Sequence, residues 1–177
     1  MHPETTARPP VGVPWHGVTF AAAFPRFFRG FRTFHGRAAR AEFWWWGLWW
    51  LIIGQAVQIP WAIGIITFRP APVDAADSAM LDDALQSFNP FPVWGYLLRA
   101  LPPVAQIGLV LYAVVVLVVA VPWVAIAIRR LHDSNRSGWW VLLFLVPIGN
   151  LALLVLLAQP SDERGRRFDR PTASASS

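Results

Sequence analysis

The chain has 177 residues, of which 55% are hydrophobic, and its mean hydropathy is +0.43. Together with 11 Trp, this profile is typical of one small integral membrane domain. All 15 residues in the Lys+Arg total are Arg, and they lie at the edges of apolar segments, which indicates orientation signals rather than a nucleic-acid interface. The lack of Cys excludes disulfides, thiolate nucleophiles and thiolate metal sites.

The N-terminal region divides into a tail and an amphipathic segment. Residues 1–18 are rich in proline and lack the apolar core of a cleavable signal peptide, so we expect a disordered tail. Residues 20–34 carry phenylalanines at helical spacing on one face and arginines on the other. These residues are Phe24, Phe27, Phe28 and Phe31 against Arg26, Arg29 and Arg32. The pattern predicts a short helix in the membrane interface, and a helix packed on the rest of the protein is the alternative.

Three apolar segments follow, which we assign to a single membrane domain over residues 19–160. They are residues 43–68, 101–128 and 138–158. The first two carry no formal charge and exceed the roughly 20 residues that a helix needs to cross the hydrocarbon core, so each predicts a transmembrane helix. The third is just long enough to span, but Pro147, Gly149 and Asn150 lie in its middle. It therefore either spans the membrane or re-enters it as a helical hairpin.

Residues 69–100 form an acidic connection between the first two apolar segments. Four Asp face only two Arg here, so the positive-inside rule places this connection outside the cytoplasm. Within it the sequence predicts a short surface helix with Asp77 or Ser78 as its N-cap. Its expected apolar stripe is Leu81, Ala84, Leu85 and Phe88.

Arginine counts predict the orientation of the chain. Six Arg precede residue 43 and three lie in residues 129–136, so we expect the N-terminus and this second stretch to be cytoplasmic. The polar C-terminal tail, residues 161–177, carries four more Arg. A re-entrant third segment would keep the tail inside, whereas three full crossings would place it outside.

Two Arg- and Trp-containing stretches meet at the expected cytoplasmic face. They are GRAARAEFWWW, residues 36–46, and RRLHDSNRSGWW, residues 129–140. Helix ends, a turn and interfacial Trp explain each residue structurally. The sharper hypothesis is that Glu42 and Asp133 pair with Arg residues across the helices and leave a basic pocket for an anionic lipid headgroup or another phosphorylated ligand.

This hypothesis selects two groups of residues. The candidate headgroup- or partner-binding residues are Arg37, Arg40, Glu42, Arg129, Arg130, His132, Asp133 and Arg136. The expected interface anchors are Trp44, Trp45, Trp139 and Trp140.

Enzyme functions have weaker support in the sequence. His132 and Asp133 form a pair that some metal sites use, but the other histidines lie in or near the N-terminal tail, and no nucleophile elbow or phosphate-binding glycine loop is present. We therefore expect no catalytic residue, metal or cofactor. The polar residues inside the apolar segments are uncharged, which favours hydrogen bonding between helices over an ion path.

The two stretches, with their flanking residues, resemble the signature blocks of the bacterial inner-membrane family known as domain of unknown function 805. The first block matches at Phe34, Gly36, Arg37, Ala38, Arg40, Glu42, Phe43 and Trp44. The second matches at Arg129 to Asp133 and at Arg136 to Trp140. The resemblance covers roughly residues 20–68 and 101–170. Two regions depart from the family pattern: the connection of residues 69–100, which is longer and more acidic, and the tail at residues 165–169. The resemblance implies a multi-pass helical protein of the plasma membrane and no particular activity.

These observations lead to one expectation for fold and function. The fold is an all-α membrane protein, a small helical bundle with two or three transmembrane helices plus an N-terminal interfacial amphipathic helix. The function is that of a non-enzymatic structural, lipid-interacting or partner-binding component of the bacterial inner membrane. Its partners would be membrane lipids, further copies of the chain or another membrane protein, and not nucleic acid. A subunit of an oligomeric transporter or channel is the main alternative, and a membrane enzyme acting on a phosphorylated lipid is the third.

Overall fold

The computed structural model describes residues 8–169, and the regular secondary structure in this part of the chain is entirely helical, without strands. The α-helices are α1 (Phe20–Arg29), α2 (Arg40–Thr67), α3 (Ala75–Gln86), α4 (Pro90–Ala100), α5 (Pro103–Asp133) and α6 (Gly149–Ala158). Two 3₁₀ helices, Gly138–Leu145 and Glu163–Phe168, flank α6. The expected all-α membrane fold is confirmed.

The chain forms two compact units. The first combines the described parts of Met1–Leu51 and Leu117–Ser177, and the second is Ile52–Val116. The first unit contains the N-terminal region, the end of α5 and the C-terminal tail. The second contains the acidic connection with the helix ends beside it.

Helices α2 and α5 have the length and apolarity needed to cross a membrane. Only 11% of the residues in the most apolar window of α2 and 22% in that of α5 are buried, as expected for surfaces that face lipid and not for the core helices of a soluble protein. In the second unit the two helices approach closely at glycines. A Cβ atom on Gly108 would lie 2.5 Å from the backbone nitrogen of Trp61, so this crossing requires the smallest side chain.

Helix α1 is amphipathic, but its buried face differs from the expected one. Thr19 is the N-cap, and Ala23, Arg26 and Phe27 are buried. Phe27 stacks on Trp46 of α2 with ring centroids 3.3 Å apart. Helix α1 is thus packed on α2, as in the alternative interpretation, and the expectation that Arg26 lies on the outward polar face is wrong.

Residues 8–18 differ from the disordered tail that the sequence predicts, because they are packed on α1 and α2. The guanidinium of Arg26 donates hydrogen bonds to the backbone carbonyls of Pro9, Pro10 and Val13. Val18 is buried. The rest of the expected tail, residues 1–7, lies outside the described residues, as does the end of the C-terminal tail, residues 170–177.

The acidic connection contains two helices where the sequence predicts one. Helix α3 begins three or four residues earlier than expected, because its N-cap is Asp74, whose carboxylate accepts a hydrogen bond from the Asp77 backbone. Only part of the expected stripe faces inward: Ala84 is buried, whereas Leu85 and Phe88 are exposed. Helix α4 was not anticipated.

The third apolar segment is a hairpin of two short helices rather than one long helix. The 3₁₀ helix Gly138–Leu145 packs against α6, and the chain reverses at the Pro147–Gly149 breaker. A Cβ atom on Gly149 would collide with the Leu143 carbonyl oxygen, so a glycine permits this tight reversal. Both ends of the hairpin meet the C-terminal end of α5. Of the two arrangements expected for this segment, the hairpin corresponds to the re-entrant one.

Candidate functional site

Four separate parts of the chain meet at the C-terminal end of α5. The backbone nitrogen of Ala38 donates to the Arg129 carbonyl over 3.0 Å, and that of Asp162 donates to the Asp133 carbonyl over 2.8 Å. The backbone nitrogen of Gly36 donates to the Phe168 carbonyl over 2.9 Å. The backbone nitrogen of Arg37 donates to the Gly12 carbonyl over 2.7 Å. The N-terminal segment, the link between α1 and α2, the end of α5 and the C-terminal tail therefore form one hydrogen-bonded assembly, which we call the arginine knot.

The first ion pair of the arginine knot joins α1 to α2. The Arg26 Nε donates to Oε2 of Glu42, and both side chains are almost completely buried. The other carboxylate oxygen accepts from the backbone nitrogens of Trp15, at 2.8 Å, and Ala39, at 3.2 Å. Glu42 is thus saturated by donors from three segments. The hypothesis that Glu42 is paired is supported, but its partner is Arg26.

Arg129 lies beside this pair and adds a second positive charge. Its side chain is within electrostatic range of both Glu42 and Arg26. Arg129 is 1% exposed, and its Nη1 has no hydrogen-bond acceptor among the described residues. Gly30 makes room for the guanidinium, since a Cβ atom there would lie 2.5 Å from Nη2. Arg129 is therefore a second buried cation near the Arg26–Glu42 pair.

The second ion pair of the arginine knot fastens the C-terminal tail to α5. The Arg130 Nη1 donates to Asp133 over 2.7 Å, and both side chains are fully buried. Arg130 also donates to the backbone carbonyls of Leu157, at 3.0 Å, and Gln159. Ser161 donates its hydroxyl to the same Asp133 carboxylate over 2.5 Å. The pair therefore holds the returning end of the hairpin against the helix.

Arg37 connects this second pair to the tail. Its Nε and Nη2 donate to the two oxygens of Asp169 over 2.9 and 2.8 Å, and its Nη1 lies 3.7 Å from Asp133. The hydrogen bond with Asp169 raises the pKa of Arg37 above its ordinary value, more than partial burial lowers it. Arg37 is therefore a permanent cation that clamps the tail in bidentate geometry.

His132 contacts both the link between α1 and α2 and the C-terminal tail. Its Nδ1 lies 3.1 Å from the Gly36 carbonyl oxygen, which assigns the ring proton to that nitrogen. Its ring stacks on Phe168, with centroids 4.0 Å apart and planes 4° from parallel. No cluster of three His, Asp or Glu that could bind a metal occurs between residues 8 and 169.

The candidate residues from the sequence divide into a buried and an exposed group. The buried or largely buried group is Arg37, Glu42, Arg129, Arg130, His132 and Asp133. Arg40 and Arg136 are exposed, as are the anchors Trp44, Trp45, Trp139 and Trp140. Hence the expected basic pocket is not open at Arg129 or Arg130, because their guanidiniums are enclosed by the protein itself.

Sequence reasoning missed several members of the arginine knot. They are Trp15, Arg26, Ser161, Phe168 and Asp169. One signal was available for Arg26, since Ala23, Arg26 and Phe27 occupy one helical face. The contacts of the tail have no local sequence signal, because they join residues that are distant in the chain, from 28 positions for Asp133 and Ser161 to 132 for Arg37 and Asp169.

These features define a small all-helical membrane protein in which an ion-paired arginine knot joins the two termini of the membrane domain. The chain belongs to the family described as protein of unknown function (DUF805), which matches residues 31–170. The family expected from the sequence is therefore confirmed.

Two curated relatives share part of the chain. The inner membrane protein YhaH of Escherichia coli is 47% identical over 53 residues, which are 29% of this chain and 44% of that protein. The inner membrane protein YhaI of Escherichia coli is 52% identical over 48 residues, which are 27% of this chain and 41% of that protein. The chain thus spans less than half of the length of these relatives. No solved structure matches.

Proposed function

We propose that this protein is a non-enzymatic, multi-pass component of the bacterial inner membrane whose cytoplasmic face binds anionic lipid headgroups. Both relatives, YhaH and YhaI, are named inner membrane proteins, which supports this location. The concentration of Arg before residue 43 and in residues 129–136 supports a cytoplasmic N-terminus. With both ends of the hairpin at the arginine knot, α2 and α5 are the two crossings and the third segment re-enters the membrane.

The observation that carries the headgroup proposal is the division between buried and exposed arginines. The buried guanidiniums are enclosed within the protein, whereas Arg40 and Arg136 are exposed. Arg40 precedes Trp44 by one helical turn, and Arg136 precedes Trp139 by three residues. A cation beside an exposed indole is the arrangement expected at the headgroup boundary, where Trp anchors and Arg pairs with phosphate.

The contacts of His132 and Asp133 support the non-enzymatic part of the proposal. The Asp133 carboxylate accepts from Arg130 and Ser161 and lies beside Arg37. The imidazole of His132 is held between the Gly36 carbonyl and the Phe168 ring. A general base or metal ligand needs a lone pair that faces an open cleft, whereas both of these side chains are buried and their contacts hold the tail.

Native mass spectrometry of the purified protein tests the headgroup proposal. The variant Arg40→Gln with Arg136→Gln removes the two exposed cations that precede the Trp anchors, and Arg69→Gln with Arg99→Gln is the matched control, since it removes the same charge from the acidic connection. After equilibration with equal amounts of phosphatidylglycerol and phosphatidylethanolamine, we expect the first variant to retain several-fold less phosphatidylglycerol than the wild type and the control to retain a wild-type amount. Unchanged retention in the first variant, or equal loss in both, contradicts the proposal.

A further inference from the structure

Helix α4 exposes an apolar stripe that the described chain does not cover. The side chains of Phe91, Trp94 and Leu98 recur at i, i+3 and i+7, so they lie on one face of the helix. Phe91 is 80% exposed and Trp94 is 62% exposed, and no residue of α4 is buried. An isolated apolar side chain at a surface is common, but a stripe of two aromatic rings and a leucine along a short helix indicates a contact surface.

The position of α4 is fixed at the beginning of a membrane-crossing helix. Only Leu101 and Pro102 separate the end of α4 from the start of α5. The side-chain amide of Gln106 donates to the carbonyls of Leu98, at 3.2 Å, and Leu101, at 2.9 Å. These two hydrogen bonds fix the corner between the helices, so the end of α4 stays close to the beginning of α5.

The surface that follows this corner is itself apolar and exposed. Ile107 and Val110 of α5 are exposed in the part of the helix that enters the apolar segment. The stripe of α4 is therefore connected, through a two-residue link, to a surface that faces lipid tails.

Helix α4 and its neighbour α3 differ in the charge of their side chains. Helix α3 carries Asp77, Asp82 and Asp83, and Asp74 is its N-cap. Helix α4 carries no acidic residue, and its one charged residue is Arg99 in the last turn. Carboxylates are repelled by anionic headgroups and remain in water, whereas aromatic rings followed by an arginine suit the headgroup and acyl boundary.

We propose that α4 is an interfacial anchor, lying along the lipid surface at the N-terminal end of α5 with Phe91, Trp94 and Leu98 in the acyl boundary, while α3 faces water. The occupant of the stripe is the bilayer, in the leaflet that holds the N-terminal end of α5. This anchor is independent of headgroup binding by Arg40 and Arg136.

Nitroxide labelling tests the anchor, because the natural chain contains no Cys. Single cysteines replace Trp94 on the stripe, Asp82 on α3 as the water reference, and Val110 on α5 as the lipid reference. All three positions are exposed, so the label does not disturb packing. Collision rates with oxygen, which concentrates in lipid, and with a water-soluble nickel chelate are measured in vesicles of phosphatidylethanolamine and phosphatidylglycerol.

We expect the oxygen-to-nickel ratio at position 94 to be several-fold above that at position 82 and below that at position 110. A ratio at position 94 equal to that at position 82 overturns the proposal. A high ratio accompanied by dipolar broadening that disappears on dilution with unlabelled protein also overturns it, since the stripe would then contact a second copy of the chain. A Leu98→Cys label, on the same face, must give the same result as the label at position 94.

Discussion

Glu42→Gln removes the negative charge that pairs with Arg26 and lies near Arg129, while it preserves the volume of the side chain. The oxygen of the amide can still accept from the Trp15 and Ala39 backbones, so the variant isolates the loss of charge from the loss of these bonds. Both arginines are then buried without an opposing carboxylate among the described residues around them.

The expected cost follows from this burial. Breaking a buried ion pair by removing one partner costs about 3–5 kcal/mol, because the remaining charge is desolvated and uncompensated. The matched control is Glu163→Gln, since Glu163 lies 3.6 Å from Arg166 with both side chains strongly exposed. An exposed pair contributes about 1 kcal/mol or less, so the two substitutions are clearly distinguishable.

Equilibrium unfolding in mixed micelles, followed by Trp fluorescence as the fraction of dodecyl sulfate rises, measures these free energies. The double variant Arg26→Gln with Glu42→Gln removes both charges of the pair and should cost less than the sum of the single substitutions. If Glu42→Gln costs no more than Glu163→Gln, or if the single costs are additive, the pairing of Arg26 with Glu42 does not hold the N-terminal segment.

Two further substitutions test other parts of the structure. Asp133→Asn removes the charge that pairs with Arg130, so we expect faster hydrogen exchange of the backbone amides in residues 159–169. The control Asp82→Asn, in α3, should leave that exchange unchanged. Equal exchange in both variants would show that Asp133 does not fasten the tail. Gly108→Ala places a Cβ atom 2.5 Å from Trp61 and should destabilise the protein by about 1–3 kcal/mol in the same unfolding assay. The control Gly47→Ala, where a Cβ atom meets nothing within 4 Å, should be neutral or stabilise by up to about 1 kcal/mol, and equal effects would exclude a close helix crossing.

Hydropathy made the spanning helices predictable, since the lengths of residues 43–68 and 101–128 alone indicate crossing segments. The break in the third segment was predictable from Pro147 and Gly149, but the choice between spanning and re-entering was not. In the structure the chain returns to the end of α5, where Arg130 and Asp133 bind it at Leu157 and Ser161. Such contacts depend on tertiary structure and leave no periodic trace in the sequence.

The N-terminal segment shows why composition alone was misleading. Its prolines suggest disorder, yet an extended proline-rich chain presents free carbonyls, and Arg26 binds those of Pro9, Pro10 and Val13. An arginine on a helix also suggests a solvent-facing side, and Arg26 is buried because these carbonyls and a carboxylate 16 positions away, on Glu42, accept its hydrogen bonds. Pairing was therefore predictable from the presence of Glu42 near arginines, but the identity of the partner was not.

The side of the membrane on which the C-terminal tail lies decides whether the arginine knot can exist in the cell. Single cysteines at His16, Ser87 and Arg164 occupy exposed positions in the N-terminal segment, the acidic connection and the tail, whereas Ser134 is buried and would be protected on either side. With a membrane-impermeant maleimide on intact cells, we expect labelling at position 87 alone, and labelling at all three positions after permeabilisation. Labelling at position 164 in intact cells, with position 16 protected, would show that the third segment crosses the membrane and would contradict the joining of the two termini by the arginine knot.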